Sequence, residues 1–162
     1  MQISPSEFWG VNHYKHPPLT PDLLKLCEEK YGVQLPLLLV ELLQYQNGGY
    51  TNDFGFPMTQ ETSWAKDHVP LDGMSGIVND PSIQTHLNLL ESDYYQKEWN
   101  LPPKQLTLNG DGHWWITLDY RLSSQPSVLW IDTEEEEMIP IAPTFEVFYA
   151  GLRPISEFQV ED

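Results

Sequence analysis

The feature that most constrains this chain is the run Asn109-Gly110-Asp111-Gly112-His113-Trp114-Trp115-Ile116-Thr117-Leu118-Asp119-Tyr120-Arg121. Glycine reaches backbone conformations that a tight turn needs, and aromatic and β-branched side chains suit a pleated surface, so a Gly-Asp-Gly turn feeding a strand is predicted. Side chains alternate across a strand. Trp114, Ile116, Leu118 and Tyr120 therefore share one face, expected to lie against helices. His113, Trp115, Thr117 and Asp119 share the other, and Trp115 is expected to look out of an open surface there. His113 and Asp119 do not make an acid–base or metal pair, because six residues of strand separate them by roughly 20 Å.

The rest of this half reads as a continuation. Ser127–Asp132 is a second expected strand, 138–141 a short third one, and Thr144 opens a helix in which Phe145, Phe148, Tyr149 and Leu152 recur at helical spacing. The expectation is an antiparallel meander closed by a helix.

The first half carries helix punctuation. Ser4-Pro5-Ser6-Glu7 has capping-box spacing with proline at the first helical position, and Gly10 and Pro17-Pro18 prevent a long helix. His13 and His16 lie in that segment without a carboxylate or thiolate at ligand spacing, so a packed or solvated loop is expected rather than a metal pair. Thr20-Pro21 starts an amphipathic helix that Gly32 stops, and Cys27 falls on its apolar face as an inert thiol. Pro36 starts another helix with Leu38, Leu39, Leu42 and Leu43 inside, ended by Asn47-Gly48-Gly49. The middle is less patterned. Residues 50–74 read as loops with one short strand, 74–79 as a further strand, Pro81-Ser82 as the start of a helix through Leu87 and Leu90, and Ser92 as the start of a second one through Trp99. His68 and His86 have no partners at metal-ligand spacing.

Composition limits the function classes. One cysteine in 162 residues allows no intramolecular disulfide and no cysteine-rich metal site. No apolar run is long enough to span a bilayer and the start lacks a signal-peptide pattern, so a cytoplasmic protein with no membrane partner is expected. The 24 acidic residues against 8 Lys and Arg give a formal net charge of -16, which repels the phosphate backbone and argues against direct nucleic-acid binding. No nucleophile elbow, phosphate loop, zinc-protease helix or dinucleotide fingerprint is present, so neither catalysis nor a cofactor or metal is expected.

Two sets of motifs carry a resemblance. Glu28-Glu29-Lys30-Tyr31-Gly32-Val33-Gln34-Leu35-Pro36, the leucine-rich helix and Gln46-Asn47-Gly48-Gly49 resemble the amino-terminal signature of the SUKH superfamily. Asp111-Gly112-His113, Leu118-Asp119-Tyr120-Arg121, Val128 to Asp132, Ile141-Ala142-Pro143-Thr144-Phe145 and Gly151-Leu152 resemble that family's sheet and last helix. The resemblance covers about residues 20–152 and fits residues 50–81 poorly. It implies an α+β fold in which an antiparallel or mixed sheet of about four to six strands lies against several helices, within a single domain spanning 1–162.

The superfamily includes fungal regulators of cell-wall glucan synthesis and many bacterial immunity proteins. The resemblance thus implies a non-enzymatic protein-binding domain, as a monomer or weak dimer. The foremost reading is an immunity protein whose acidic surface occludes a cognate basic toxin such as a nuclease. The alternatives are a regulatory or scaffold module and a carbohydrate-binding domain, the latter drawing on six Trp. The expected partner-binding residues are Asp111, Trp115, Asp119, Glu134, Glu135, Glu136 and Glu137. The run of four Glu reads otherwise as a solvated turn between strands.

Overall fold

The computed structural model describes residues 2–158, so the expected 1–162 domain extends past the described residues at both ends. It is an α+β fold with five helices and two antiparallel sheets. After the short α1 (Pro5–Phe8), α2 (Pro21–Tyr31) begins where the Thr20 hydroxyl accepts the Leu23 N–H at 3.1 Å. It ends at Gly32, whose φ of 64° is the left-handed conformation that glycine adopts without a Cβ penalty. The next helix, α3 (Leu37–Tyr45), buries Leu39, Leu42 and Leu43 completely or nearly so, each contributing about 1.5–3 kcal/mol of apolar transfer. Cys27 is buried as expected, and burial, reinforced by Glu28 and opposed by Lys30, pushes its thiol up to about 12.

Residues 50–74 depart from the expected loops. They supply a hairpin of β1 (Gly49–Pro57) and β2 (His68–Met74), to which the two-residue β7 (Arg153–Pro154) adds beyond β1. The register shifts between Tyr50 and Phe54, where Asp53 takes a φ of 60°. That irregularity lets a segment rich in turn-forming residues remain paired on both sides. The strand expected over 74–79 does not form beyond Met74. The chain instead makes a single bridge from Gly76 to Asn88, and the helix expected from Pro81 is a turn followed by one 3-10 turn at Leu89–Glu91. Helix α4 (Ser92–Glu98) ends at Trp99 as its sequence suggests.

The second sheet is a four-stranded meander, within the four to six strands that the resemblance implies and one more than the three read from residues 114–141. Its order is β3 (Gln105–Gly110), β4 (Trp114–Asp119), β5 (Ser127–Asp132) and β6 (Glu137–Ala142). The two sheets meet where Ser75 N–H donates to the Leu108 carbonyl at 2.8 Å and Asn109 Nδ2 donates to Asp72 Oδ1 at 2.8 Å. Helix α5 (Phe145–Gly151) closes the inner face, its Thr144 hydroxyl accepting from Val147 N–H. Trp114, Ile116, Leu118 and Tyr120 join Phe8, Leu39, Phe54, Phe145 and Phe148 in one hydrophobic cluster that touches both sheets, as the alternation of β4 predicts.

The opposite face of β4 corrects an expectation. Trp115 is only 3% exposed and packs with Leu101, Leu129, Ile131 and Tyr95, the Tyr95 ring centroid being 4.9 Å away. The segment of α4 and Leu101 covers a face that local alternation alone leaves open. Asp119 is buried too, at 6% exposure.

Candidate functional site

Two turns on the same end of the meander bring most of the expected acidic residues together. In an antiparallel sheet, the β3–β4 turn and the β5–β6 turn lie side by side, since Trp114 pairs with Asp132 and Asp132 with Glu137. Asp111 holds the first turn, its Oδ1 accepting from His113 N–H at 2.9 Å and Trp114 N–H at 3.1 Å. Gly112, with φ of 101°, packs under the Trp99 ring, 3.2 Å from where a Cβ would stand. The second turn is held by Asp132, whose Oδ1 accepts the N–H groups of Glu134 and Glu135 at 3.0 Å each. The turns are joined to each other: Thr133 N–H donates to the His113 carbonyl at 3.3 Å, and Glu134 Oε1 lies 2.8 Å from His113 Nδ1.

Glu134, Glu135 and Glu136 project as exposed side chains beside exposed Asp111. Glu137 differs. It is half-buried, and its Oε1 accepts from Ser63 N–H at 2.8 Å and Trp130 Nε1 at 3.3 Å, so it fastens the β1–β2 loop to the sheet. The Ser63 hydroxyl bonds Asp132 in the same place.

Sequence reasoning missed two aromatic residues here. Trp64, in the β1–β2 loop, is 49% exposed and meets Trp114 edge-on at 5.6 Å, and Trp114 in turn stacks on Trp130. Trp99, at the end of α4, is 39% exposed over Gly112. The signal that could have found them is a tryptophan outside any apolar periodicity, since a large ring with no place on a buried face is free to meet a partner.

Trp115 and Asp119 do not belong to this edge. Asp119 sits at the far end of β4, six residues and about 20 Å away. Burial alone pushes its carboxyl upward, but hydrogen bonds from the Arg121 side chain and backbone and from Gln105 outweigh it and hold the group below the usual carboxylate range. It is the structural anchor of Arg121 rather than a carboxylate offered to solvent. No group of three or more His, Cys, Asp or Glu among the described residues is placed to hold a metal. No helix among them is long and apolar enough to cross a membrane.

Residues 18–151 match the SMI1 / KNR4 family (SUKH-1). The chain belongs to that family. No curated protein and no solved structure matches it. The match includes the hairpin β1–β2, so the segment that fitted the resemblance least lies inside the SUKH-1 region. Membership supports a protein-binding domain of the immunity or regulatory type, and SUKH-1 domains are generally non-enzymatic. In this SUKH-1 chain the geometry of the acidic edge fits binding: exposed carboxylates on two hydrogen-bonded turns, beside half-exposed rings, provide Coulombic attraction and apolar contact.

Proposed function

We propose that this SUKH-1 chain is a cytoplasmic immunity protein that neutralises a cognate basic toxin by docking its acidic edge on the toxin's active face. The observation that carries the reading is the convergence of Asp111, Glu134, Glu135 and Glu136 on one edge of the meander, next to Trp64 and Trp99. A net charge of -16 steers a cationic protein towards the chain, and the hydrogen-bonded turns fix the backbone from which the carboxylates project. A nuclease is the toxin class whose substrate surface must be basic, so its phosphate-binding groove is the complement of this edge.

The test is co-expression. The product of the gene adjacent to this one is expressed with and without the chain; protection against a toxic neighbour is expected, together with a complex whose association weakens steeply as salt is raised. A neighbour that is harmless alone, or a toxic one against which the chain gives no protection, removes the reading.

A further inference from the structure

At the end of β4 away from the acidic edge lies a groove of different chemistry. It has a volume of about 1540 Å³ and runs between α2, the Gly32 to Leu37 turn and the β4–β5 loop. Two of the most exposed large apolar side chains among the described residues, Leu122 at 94% and Leu37 at 79%, stand along it. Its charge is also unlike the rest. Lys25, Lys30, Lys104 and Arg121, half of the chain's 8 Lys and Arg, line it against Glu28, Glu29, Asp93 and Glu146. The groove is formally balanced, and the whole net charge of -16 falls elsewhere on the chain.

The cations at its β4 end are unequally committed. Lys30 pairs with Asp93 at 3.3 Å and Lys25 with Glu29 at 3.8 Å, whereas exposed Lys104 has no ion pair among the described residues. Lys104 and Arg121 are neighbours, because Tyr120 N–H donates to the Lys104 carbonyl at 3.0 Å. Arg121 is held from behind by a buried relay. The Thr117 hydroxyl donates to Gln105 Oε1 at 2.5 Å and Gln105 Nε2 donates to Asp119 Oδ1 at 2.8 Å. Asp119 in turn receives Arg121 Nε and Nη2 at 2.9 Å each. Thr117, Gln105 and Asp119 are 0%, 2% and 6% exposed. Burying three polar side chains in one line is costly unless each is satisfied, and here the line ends on a single guanidinium at the surface. Nη1 has no partner among the described residues. A guanidinium fixed in this way, next to a free ammonium, is preorganised for a carboxylate.

We propose that this groove binds a second protein partner through a peptide segment in which an acidic side chain is flanked by aliphatic residues. The carboxylate sits between Arg121 and Lys104, and the aliphatic residues cover Leu122 and Leu37. A strongly acidic segment is opposed by the field of the remaining chain, while Lys104, unpaired among the described residues, and the open Nη1 of Arg121 offer donors for one carboxylate, so a single acidic side chain in an apolar sequence is the charge that fits. The site is independent of the acidic edge and of the toxin reading.

The test is selection of a phage-displayed random dodecamer library on the immobilised chain, followed by affinity measurement with synthetic copies of the enriched peptides. Enrichment of Glu or Asp between aliphatic residues is expected, and affinity should fall about tenfold or more in Lys104→Gln, Leu122→Ser and Arg121→Gln. The variant Glu135→Gln, on the other edge, should leave it unchanged. Because Arg121→Gln strips the buried Asp119 of its cation, its thermal unfolding is measured alongside; the exposed positions Lys104 and Leu122 carry the test if it unfolds. Amidated and free-acid copies should bind alike, and binding by the free acid alone overturns the side-chain assignment. No enrichment, a basic consensus, or affinity unchanged in Lys104→Gln and Leu122→Ser overturns the proposal, as does a homodimer in sedimentation that Leu122→Ser dissociates.

Discussion

His16 Nδ1 lies 2.7 Å from the carbonyl oxygen of Asn47, and this contact fixes which imidazole nitrogen carries the proton. A carbonyl only accepts, so Nδ1 donates and Nε2 accepts from the Thr85 hydroxyl at 2.9 Å. Asn47 is itself a junction: its Nδ2 donates to the Pro17 and Ile77 carbonyls and its Oδ1 accepts from Ile77 N–H. A neutral His16 thus joins the amino-terminal loop to the segment after β2.

Stability should therefore fall as the solution is made mildly acidic. Burial lowers the His16 pKa below its ordinary 6.5, against the Asn47 bond and with help from His86. A base whose folded pKa is depressed binds more protons when unfolded, so the stabilisation is complete above the unfolded value and is lost as pH drops below about 6.5. Urea unfolding between pH 8 and pH 5 should show a decline that is shallower in His16→Gln. Relief of acidic self-repulsion acts on both proteins alike, so the difference between them reports His16. Parallel curves would rule the linkage out.

Two glycines should respond to alanine by very different amounts. At Gly76 a Cβ would stand 1.9 Å from the Asn47 carbonyl oxygen, a backbone atom that cannot swing aside. Gly76→Ala should cost more than about 3 kcal/mol or prevent folding. At Gly32 nothing lies within 4 Å of the Cβ, and only the φ of 64° opposes the change. Gly32→Ala should cost about 1 kcal/mol. Chemical denaturation of both variants checks the contrast.

The tryptophans separate folding from binding. Trp115→Ala removes a ring from a buried cluster and should cost about 3–5 kcal/mol, with lost expression before lost specificity. Trp64→Ala removes a ring that is 49% exposed, so its stability cost should be about 1 kcal/mol. Its loss should instead weaken the partner complex by about 2 kcal/mol or more, the range of an interface anchor. Calorimetry on the isolated chain and binding to the partner would distinguish the two, and equal effects on both quantities would sink the assignment of Trp64 to the interface.

What could be read from the sequence follows the range of the interactions. The caps Thr20, Gly32 and Thr144 and the leucine spacing of α3 act within a turn or two of helix, and their placement is visible in the residues themselves. The hairpin β1–β2 was hidden because Asn52, Asp53 and Gly55 in one strand and Pro70 and Gly73 in the other look like loop chemistry. Their pairing depends on an irregular register that no period-2 pattern describes. The acidic edge was legible as far as Asp111 and the three exposed Glu are concerned, because turns between strands are exposed whatever packs on the sheet. Trp115 was misplaced since Tyr95 and Leu101, which cover it, are distant in sequence. Arg121 lies just past the end of β4, where the Asp119 carboxylate accepts both the Arg121 backbone N–H at 3.1 Å and its guanidinium, a local turn contact that removes one carboxylate from the surface while orienting one cation upon it.

The four consecutive glutamates should then divide by role. Glu134, Glu135 and Glu136 are exposed, and replacing all three with Gln leaves the Asp132 turn hydrogen bonds untouched because those use backbone N–H groups. Folding stability should change by less than about 1 kcal/mol, and relief of like-charge repulsion favours the variant. Association with a cationic partner should slow by about tenfold at low salt, and the slope of rate against ionic strength should flatten, because steering acts on the encounter. Glu137→Gln should do the reverse. Its Oε1 receives both Ser63 N–H and Trp130 Nε1, and an amide oxygen accepts more weakly than a carboxylate. The variant should lose about 1 kcal/mol of stability with its association rate nearly intact. Stopped-flow association at two ionic strengths, with urea unfolding of each variant, measures both quantities; a triple variant that associates as fast as the parent would show that the acidic edge does not meet the partner.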